Sequence, residues 1–249
     1  MKRNTLVQIT CLLFLAGGLN LKAANGTWTG VTDATWAGAN WTATPVPGSG
    51  DTATFSGAGD GHTTIDLGSG VTIMNLLFNT GSAAAYTIGN GAVGSQTLTL
   101  NNSGGITLNS KVANNQLFNA AIVLGTDSTA QSYTNFNNSA QTLTFASSIY
   151  GGPSAGSGTA GTKTLVMGGS GNTVVSGSLL NGASSLPATT TVALTKLGAG
   201  TLTFNGTVNA STLGGGAGGG AFGTVTVNAG TLAIDFSNAG ANSDLLNSF

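Results

Sequence analysis

The most obvious shortage in this 249-residue chain is charge. Asp, Lys and Arg together make up 5% of the sequence, against about a quarter in an ordinary soluble domain. Glu is absent, and Arg occurs only at position 3. A chain without clustered Lys and Arg cannot neutralise a row of phosphates, so the sequence predicts no nucleic-acid partner. Disorder is not indicated either, since it usually combines high charge with low hydrophobicity, and 40% of these residues are hydrophobic.

The N-terminus has the layout of a secretory signal peptide. A basic pair at residues 2–3 precedes an apolar run over residues 6–19, and small residues follow at Ala23 and Ala24. The apolar run is shorter than the roughly 20 residues that a membrane-spanning helix needs, which disfavours an uncleaved anchor. We therefore expect cleavage after Ala23 or Ala24, export to the outside or the cell surface of a bacterium, and no membrane span in the mature chain.

Cleavage at this point would change the chemistry of the chain. The only cysteine, Cys11, would leave with the signal peptide, so the mature chain would have neither a thiol nor a disulfide. Seven Asp residues would then face three cations, Lys111, Lys163 and Lys196. The mature protein is predicted to be mildly acidic.

Strand patterns dominate the rest of the sequence. Segments such as TLTL, TLTF, TVTV and TLAI alternate with period two, and Thr occupies most of the face opposite the apolar residues. Gly- and Asn-rich turns separate these segments. The alternation predicts inward-facing pairs at Leu98/Leu100, Leu143/Phe145, Leu202/Phe204, Val225/Val227 and Leu232/Ile234.

Similar segments recur about every twenty residues, with spacings of 19 to 23 between the apolar positions that we matched. Short strands with Gly-rich corners at such a spacing predict an all-β fold, a β-solenoid in which each coil stacks on the last. Coils of about 20–25 residues would give roughly ten coils. A β-sandwich, which also consists of short strands and turns, is the alternative.

All three tryptophans lie close together near the mature N-terminus, at Trp28, Trp36 and Trp41, and Pro45 and Pro47 follow. A solenoid needs a cap on its terminal coil, and aromatic area followed by prolines would provide one. The alternative is a sugar-stacking platform, in which the three Trp rings would contact a glycan. Packed rings would favour the cap, and exposed coplanar rings would favour the platform.

The segment LTKLGAGTLTFNG and the later NAGTLAIDF resemble the autotransporter-associated β-strand repeat. The matching residues are Leu194, Lys196, Gly198, Gly200, Thr201, Leu202, Phe204, Gly206, Val227, Gly230, Thr231 and Leu232. The resemblance implies a right-handed parallel β-helix of the kind found in passenger segments of bacterial surface and outer-membrane proteins. In that family a C-terminal membrane barrel follows the passenger. No such segment is recognisable here, so a barrel or anchor is expected to be missing and the chain to be a fragment or a short relative.

These observations divide the chain into five regions. Residues 1–24 form the signal peptide, 25–56 the N-terminal cap region and 57–190 the β-solenoid. Residues 191–238 carry the repeat that resembles the autotransporter-associated family, and 239–249 form a C-terminal tail.

The inventory of chemically active residues is poor. His62 lies near Asp60 and Asp66, which could form a small acid–base or metal site, but a surface turn explains it equally simply. Polysaccharide hydrolases need paired carboxylates, and the Asp residues here are scattered. We therefore predict no catalytic, cofactor-binding or metal-binding residues.

Two glycine-rich segments could be mistaken for phosphate loops. GTAGTKT, at residues 158–164, and GGGAGGG, at residues 214–220, are better interpreted as flexible connections. Gly198 and Gly200 are predicted to form a corner, and Lys196 is expected to solubilise that corner.

The sequence thus favours a non-enzymatic secreted or cell-surface β-solenoid with a structural or adhesive role, whose partners would be glycans or other surface components. The alternatives are a carbohydrate-binding module using Trp28, Trp36 and Trp41, and a polysaccharide-active enzyme.

Overall fold

The computed structural model describes residues 24–152, 161–181, 190–206 and 223–235. These residues contain strands and one short 3₁₀ turn, Gly59–Gly61, and no helix among them is long and apolar enough to cross a membrane. The strands are β1 (Gly26–Thr27), β2 (Thr52–Phe55), β3 (Thr64–Ile65), β4 (Val71–Phe78), β5 (Thr87–Ile88), β6 (Thr97–Leu108), β7 (Gln116–Phe118), β8 (Ala121–Leu124), β9 (Gln131–Asn137), β10 (Leu143–Phe145), β11 (Ile149–Tyr150), β12 (Thr162–Gly168), β13 (Thr173–Val175), β14 (Leu179–Leu180), β15 (Thr191–Lys196), β16 (Thr201–Phe204), β17 (Val225–Val227) and β18 (Thr231–Ile234).

The strands stack on three faces of a coil. Face 1 consists of β1, β2, the second half of β4, the second half of β6, β9, β12, β15 and β17. Face 2 consists of β3, β5, β7, β10, β13, β16 and β18. Face 3 consists of the first halves of β4 and β6 followed by β8, β11 and β14. Every strand pair on these faces is parallel, so the fold is a β-solenoid, as predicted, and the β-sandwich alternative is wrong.

Face 2 shows the register of the stack most clearly. One inward column runs through Ile65, Ile88, Phe118, Phe145, Val175, Phe204 and Ile234, each paired with the next. Hydrogen bonds between adjacent turns give the length of a turn. Ser178 donates to Ser148 across 30 residues, whereas Thr80 in the shorter first turns donates to Ser56 across 24 residues. A turn of the solenoid therefore takes about 30 residues over most of its length.

The prediction of coils of about 20–25 residues, and with it the estimate of roughly ten coils, is wrong. The solenoid has about six turns. The error has a physical cause, because all three faces of one turn use the same period-two pattern. Leu143 lies on face 2 and Leu165 on face 1. The 22 positions between them therefore separate two different faces of the coil, and they are not the length of a turn. The true neighbour of Leu165 on the next turn is Leu194.

The core is a continuous apolar column, as the alternation predicted. Leu98, Leu100, Leu143 and Phe145 are fully buried, and Leu202 and Phe204 are 1% exposed. At the last described turn, Val225, Leu232 and Ile234 are partly buried against the core. Val227 continues an inward column but is 47% exposed, because no described strand stacks beyond β17.

Two glycines of the predicted corner are required by close packing between turns. Gly198 has a φ of +70°, a conformation that residues with a side chain rarely adopt. At Gly200 a Cβ atom would lie 1.9 Å from the carbonyl oxygen of Gly171 on the preceding turn. The predicted corner is confirmed, and its glycines let consecutive turns approach each other.

Candidate functional site

The three tryptophans, which are the predicted glycan contacts, are buried. Trp28 is 2% exposed, Trp36 3% and Trp41 8%. Each indole nitrogen donates to a backbone carbonyl: Trp28 to His62 at 3.1 Å, Trp36 to Pro47 at 3.0 Å and Trp41 to Trp36 at 2.8 Å. This burial favours the cap over the sugar platform, because a stacking platform needs exposed ring faces.

The rings pack on one another and on the first turn of the core. The Trp36 and Trp41 centroids lie 4.6 Å apart with an interplanar angle of 59°, and those of Trp28 and Trp41 5.1 Å apart at 76°. Phe55 of β2 contacts all three tryptophans. These tilted geometries are typical of packed aromatic pairs, and the cluster seals the core beside β2 as a cap would. Face 1 nevertheless begins within the cap region, since β1 and β2 pair with each other and β2 with β4.

His62 does not form a site with Asp60 and Asp66. Its Nδ1 lies 2.6 Å from the carbonyl oxygen of Gly30, which ties the turn after Gly59–Gly61 to the N-terminal loop. Asp60 is exposed on the turn, and the Oδ1 atom of Asp66 accepts from the backbone of Gly68 at 2.8 Å. The turn interpretation of His62 is confirmed. No group of three or more His, Cys, Asp or Glu side chains in the described part of the chain could hold a metal ion.

Three carboxylates share one structural role. Asp33, Asp66 and Asp127 each accept from the backbone nitrogen of the residue two positions later, at 2.8, 2.8 and 2.9 Å. These hydrogen bonds stabilise the charged form and lower the pKa of each carboxyl, most through the side chain of Thr35 at Asp33, the backbone of Gly68 at Asp66 and the side chain of Thr129 at Asp127. Such groups are suited to accept hydrogen bonds at turns rather than to donate a proton.

Lys163 is the first of two inward-facing lysines that the sequence analysis misplaced. It lies in β12 and is fully buried, so the prediction of a flexible connection is wrong for residues 162–164. Gly161 is also held in place, since its backbone nitrogen donates to Ser128 at 3.0 Å, whereas residues 158–160 and 214–220 lie outside the described residues. Its ammonium is 3.4 Å from Oδ1 of Asp127 and 5.6 Å from the ring centroid of Tyr133. Burial lowers the pKa of Lys163, while the Asp127 charge opposes that shift.

Lys196 is the second, and the expectation that it solubilises the corner is wrong. The residue is 2% exposed, and its Nζ donates to the carbonyl oxygens of Leu197 at 2.7 Å, Gly198 at 2.9 Å and Ala229 at 3.3 Å. Ala229 belongs to the following turn. The ammonium thus links two corners of the solenoid from inside, and burial lowers its pKa.

The period-two pattern could have placed both lysines. Lys163 alternates with Leu165 and Met167 in TKTLVMG, and Lys196 alternates with Val192 and Leu194 in TVALTK. The charge of a lysine favours an exposed position, whereas the alternation places both lysines on the core-facing side of their strands. The core-facing position is tolerated because a carbonyl oxygen lies beside the Lys196 ammonium and a carboxylate oxygen beside that of Lys163.

An open cleft of about 540 Å³ lies beside the aromatic cluster. One wall comes from the N-terminal loop and the other from the turn between β3 and β4. The apolar lining residues are Trp36, Ala37, Val46, Pro47, Leu67 and Val71, and Asp66 is the ionisable lining residue. A volume of this size is typical of sites that hold small ligands or side chains, and no sequence pattern pointed to it.

No protein-family model, no curated protein and no solved structure matches the chain. The function must therefore be argued from the residues themselves.

Proposed function

We propose that this chain is a non-enzymatic segment of a secreted or cell-surface bacterial protein, in which the solenoid is a stiff, polar rod with a structural or adhesive role. The observation that carries the proposal is the unbroken parallel stack of face 2, with seven paired strands in one register. At about 4.8 Å per strand, such a stack extends about 30 Å along its axis. A rod held by hydrogen bonds along its length suits a protein that has to keep its sides exposed and its shape fixed.

The state of the carboxylates supports a non-enzymatic role. A general acid in a glycosidase needs a raised pKa so that it holds a proton at the working pH. The pKa values of Asp33, Asp66 and Asp127 are instead lowered by hydrogen bonds within their own turns. Incubation with plant and algal polysaccharides is expected to release no reducing ends or unsaturated products. Steady product release would contradict this part of the proposal.

The resemblance to the autotransporter-associated β-strand repeat supports a surface role. The matched residues have defined positions on two successive turns of the stack, with Gly198 and Gly200 at a corner and Leu202 and Phe204 facing the core. A sequence repeat of this kind corresponds to a structural unit that stacks on the next copy. We propose that glycans or other surface components contact the sides of this stack, and that a barrel or anchor belongs to the same system.

Export is the part of the proposal that is simplest to test. The full chain is expressed in a Gram-negative host with its own N-terminus, the cell is fractionated, and the intact mass is measured. We expect an exported protein beginning at Ala24 or Asn25. Leu13→Arg, which interrupts the apolar run, should keep the chain in the cytoplasm at full length. A protein that retains Met1 and stays in the cytoplasm in both cases would contradict the proposal.

A further inference from the structure

The cleft beside the aromatic cluster combines apolar walls with one ionisable side chain. Val46 and Pro47 on the N-terminal loop face Leu67 and Val71 on the turn that enters β4. Asp66 provides the ionisable group of the lining, and its pKa is lowered, most by the backbone hydrogen bond from Gly68. Its carboxylate is therefore charged at neutral pH. An occupant with an apolar stem and a positively charged end would match the apolar walls and the Asp66 carboxylate.

The charge around the cleft supports a cationic occupant. The sequence has no Lys or Arg between residues 23 and 110, whereas four Asp residues fall in that interval. One of them, Asp33, is close enough to raise the pKa of Asp66 slightly by repulsion. Two of the three lysines beyond residue 24, Lys163 and Lys196, are buried on later turns. The four carboxylates at this end of the solenoid thus create a negative field that no lysine or arginine of residues 23–110 neutralises.

A strand edge begins where the cleft ends. Residues 71–73 of β4 pair with β6 on one side. On the other side β2 pairs only with residues 75–78, and no described strand pairs with residues 71–73 there. Face 3 therefore starts with an edge that no described strand pairs with, and Gly70 and Val71 at its beginning line the cleft. An extended peptide can add to such an edge by main-chain pairing, while alternate side chains enter adjoining pockets.

We propose that the cleft and this edge together bind a basic, extended peptide segment of a partner protein. The peptide main chain pairs with the edge of residues 71–73. A Lys or Arg side chain lies along Val46, Pro47 and Leu67, with its cation beside Asp66. Peptide binding is measured on the purified protein, and export is measured in cells. Either proposal can therefore fail while the other stands.

The test uses the full chain and a fluorescein-labelled peptide of alternating Lys and Val, followed by fluorescence anisotropy. We expect saturable binding that weakens as sodium chloride rises, and much weaker binding of the matching Glu and Val peptide. Methylation of alternate backbone nitrogens in the Lys peptide should abolish binding, because the edge would lose its hydrogen-bonding partner. Equal binding of the Lys and Glu peptides, or no binding of the Lys peptide, would overturn the proposal.

Paired variants locate the site. Asp66→Asn keeps an Oδ1 acceptor for Gly68 but removes the charge, and it should weaken Lys-peptide binding about fivefold, the upper range for a partly exposed ion pair. Asp60→Asn makes the same charge change on an exposed turn outside the cleft and should leave binding unchanged. Equal effects of the two variants would overturn the assignment.

A second pair tests the cleft without altering charge. Ser69 lines the cleft and is exposed, so Ser69→Trp should fill it and abolish binding. Ser82→Trp places the same ring on an exposed turn elsewhere and should have no effect. Normal binding by Ser69→Trp, or displacement of the Lys peptide by neutral oligosaccharides alone, would assign the cleft to another ligand class and contradict the proposal.

Discussion

The interior of the first turns and the interior of the later turns are built from different side chains on the same backbone. Near the N-terminus, Phe55 stacks on Phe78 at 5.2 Å with an interplanar angle of 19°, and three tryptophans cover Phe55. Farther along, one inward column of face 1 runs Ala53, Leu76, Ile106, Asn135, Met167, Lys196 and Val227. In the later turns a polar side chain, Asn135, and a charged one, Lys196, enter this otherwise apolar column without a break in register.

This difference shows what a parallel stack requires of its interior. An aromatic side chain is stabilised by the ring above or below it, as with Phe118 and Phe145 at 5.2 Å. A buried ammonium is stabilised only if oxygens lie within reach, and Lys196 finds three of them. The side chain of Asn135 is less well satisfied, since its buried Oδ1 has no hydrogen-bond partner among the described residues. The early turns are thus held by apolar contact and the later turns by donor–acceptor matching as well.

The largest effect is expected in the aromatic column. Phe118→Ala removes a fully buried ring that contacts Phe78 and Phe145, and it should lower the free energy of unfolding by about 3–5 kcal/mol. Leu117→Ala, on the partly exposed outer face of the same strand, is the control and should cost less than about 1 kcal/mol. Urea unfolding monitored by circular dichroism gives both values. Similar losses for the two variants would mean that the column is not the main source of stability.

Lys196 should come next. Lys196→Met keeps the length of the side chain but removes the donor for three carbonyl oxygens, and it should destabilise the protein by about 1–3 kcal/mol. Lys111→Met removes an exposed lysine and is expected to change stability by less than about 0.5 kcal/mol. If Lys196→Met were as stable as the parent chain, the ammonium would not link the two corners.

Lys163 should matter less, although it is more deeply buried. Its ion-pair partner Asp127 is 3.4 Å away, and the side chain of Asp127 is 34% exposed. Lys163→Met would therefore leave a carboxylate that water can still solvate. Removing one partner of an ion pair is strongly destabilising when the remaining charge is buried, but here the remaining carboxylate of Asp127 is partly exposed. We expect a change within about 1 kcal/mol in either direction by the same urea measurement. A loss greater than that of Lys196→Met would reverse the ranking of the two lysines.

The smallest effect is expected from acid. The folded-state pKa values of Asp33, Asp66 and Asp127 lie below the ordinary value of 3.8. Their contribution is therefore fully present above that value and is lost as the pH falls through the folded-state pKa values. The melting temperature should be flat between about pH 5 and 7 and fall below about pH 4. Asp127→Asn should reduce that fall, and an unchanged acid transition in this variant would contradict the role of the Asp127 turn.

Sequence periodicity predicted the fold class and most of the inward face. Alternation identified Leu143, Phe145, Leu202 and Phe204 correctly because each strand exposes one side to the core. It could not give the length of a turn, since the same alternation recurs on all three faces. The lysines were misplaced for a different reason: whether a cation is stable inside depends on oxygens from the next turn, and Ala229 lies 33 positions from Lys196.

The tryptophan cluster shows a further limit. Its sequence is compatible with a cap and with a sugar platform, and the packing of the rings on one another and on Phe55, which favours the cap, exists only in the folded chain. The cleft beside the cluster arises from two loops that meet only in the folded chain. Val46 and Leu67 belong to no recognisable sequence pattern, so the cleft is visible only in the structure.

Successive turns of the solenoid are separated by about 30 residues over most of its length, and a pair of cysteines tests this spacing directly. Val174 and Thr203 are paired on adjacent turns of face 2, at a strand separation of about 4.8 Å that a disulfide can span. In a Cys11→Ser background, Val174→Cys/Thr203→Cys should form an intramolecular disulfide on mild oxidation, detected by intact mass and non-reducing electrophoresis. Val174→Cys/Thr195→Cys, which the shorter turn predicted from the sequence would bring together, should stay reduced because Thr195 lies on face 1. A disulfide in the second pair and not in the first would contradict the stack described for this protein.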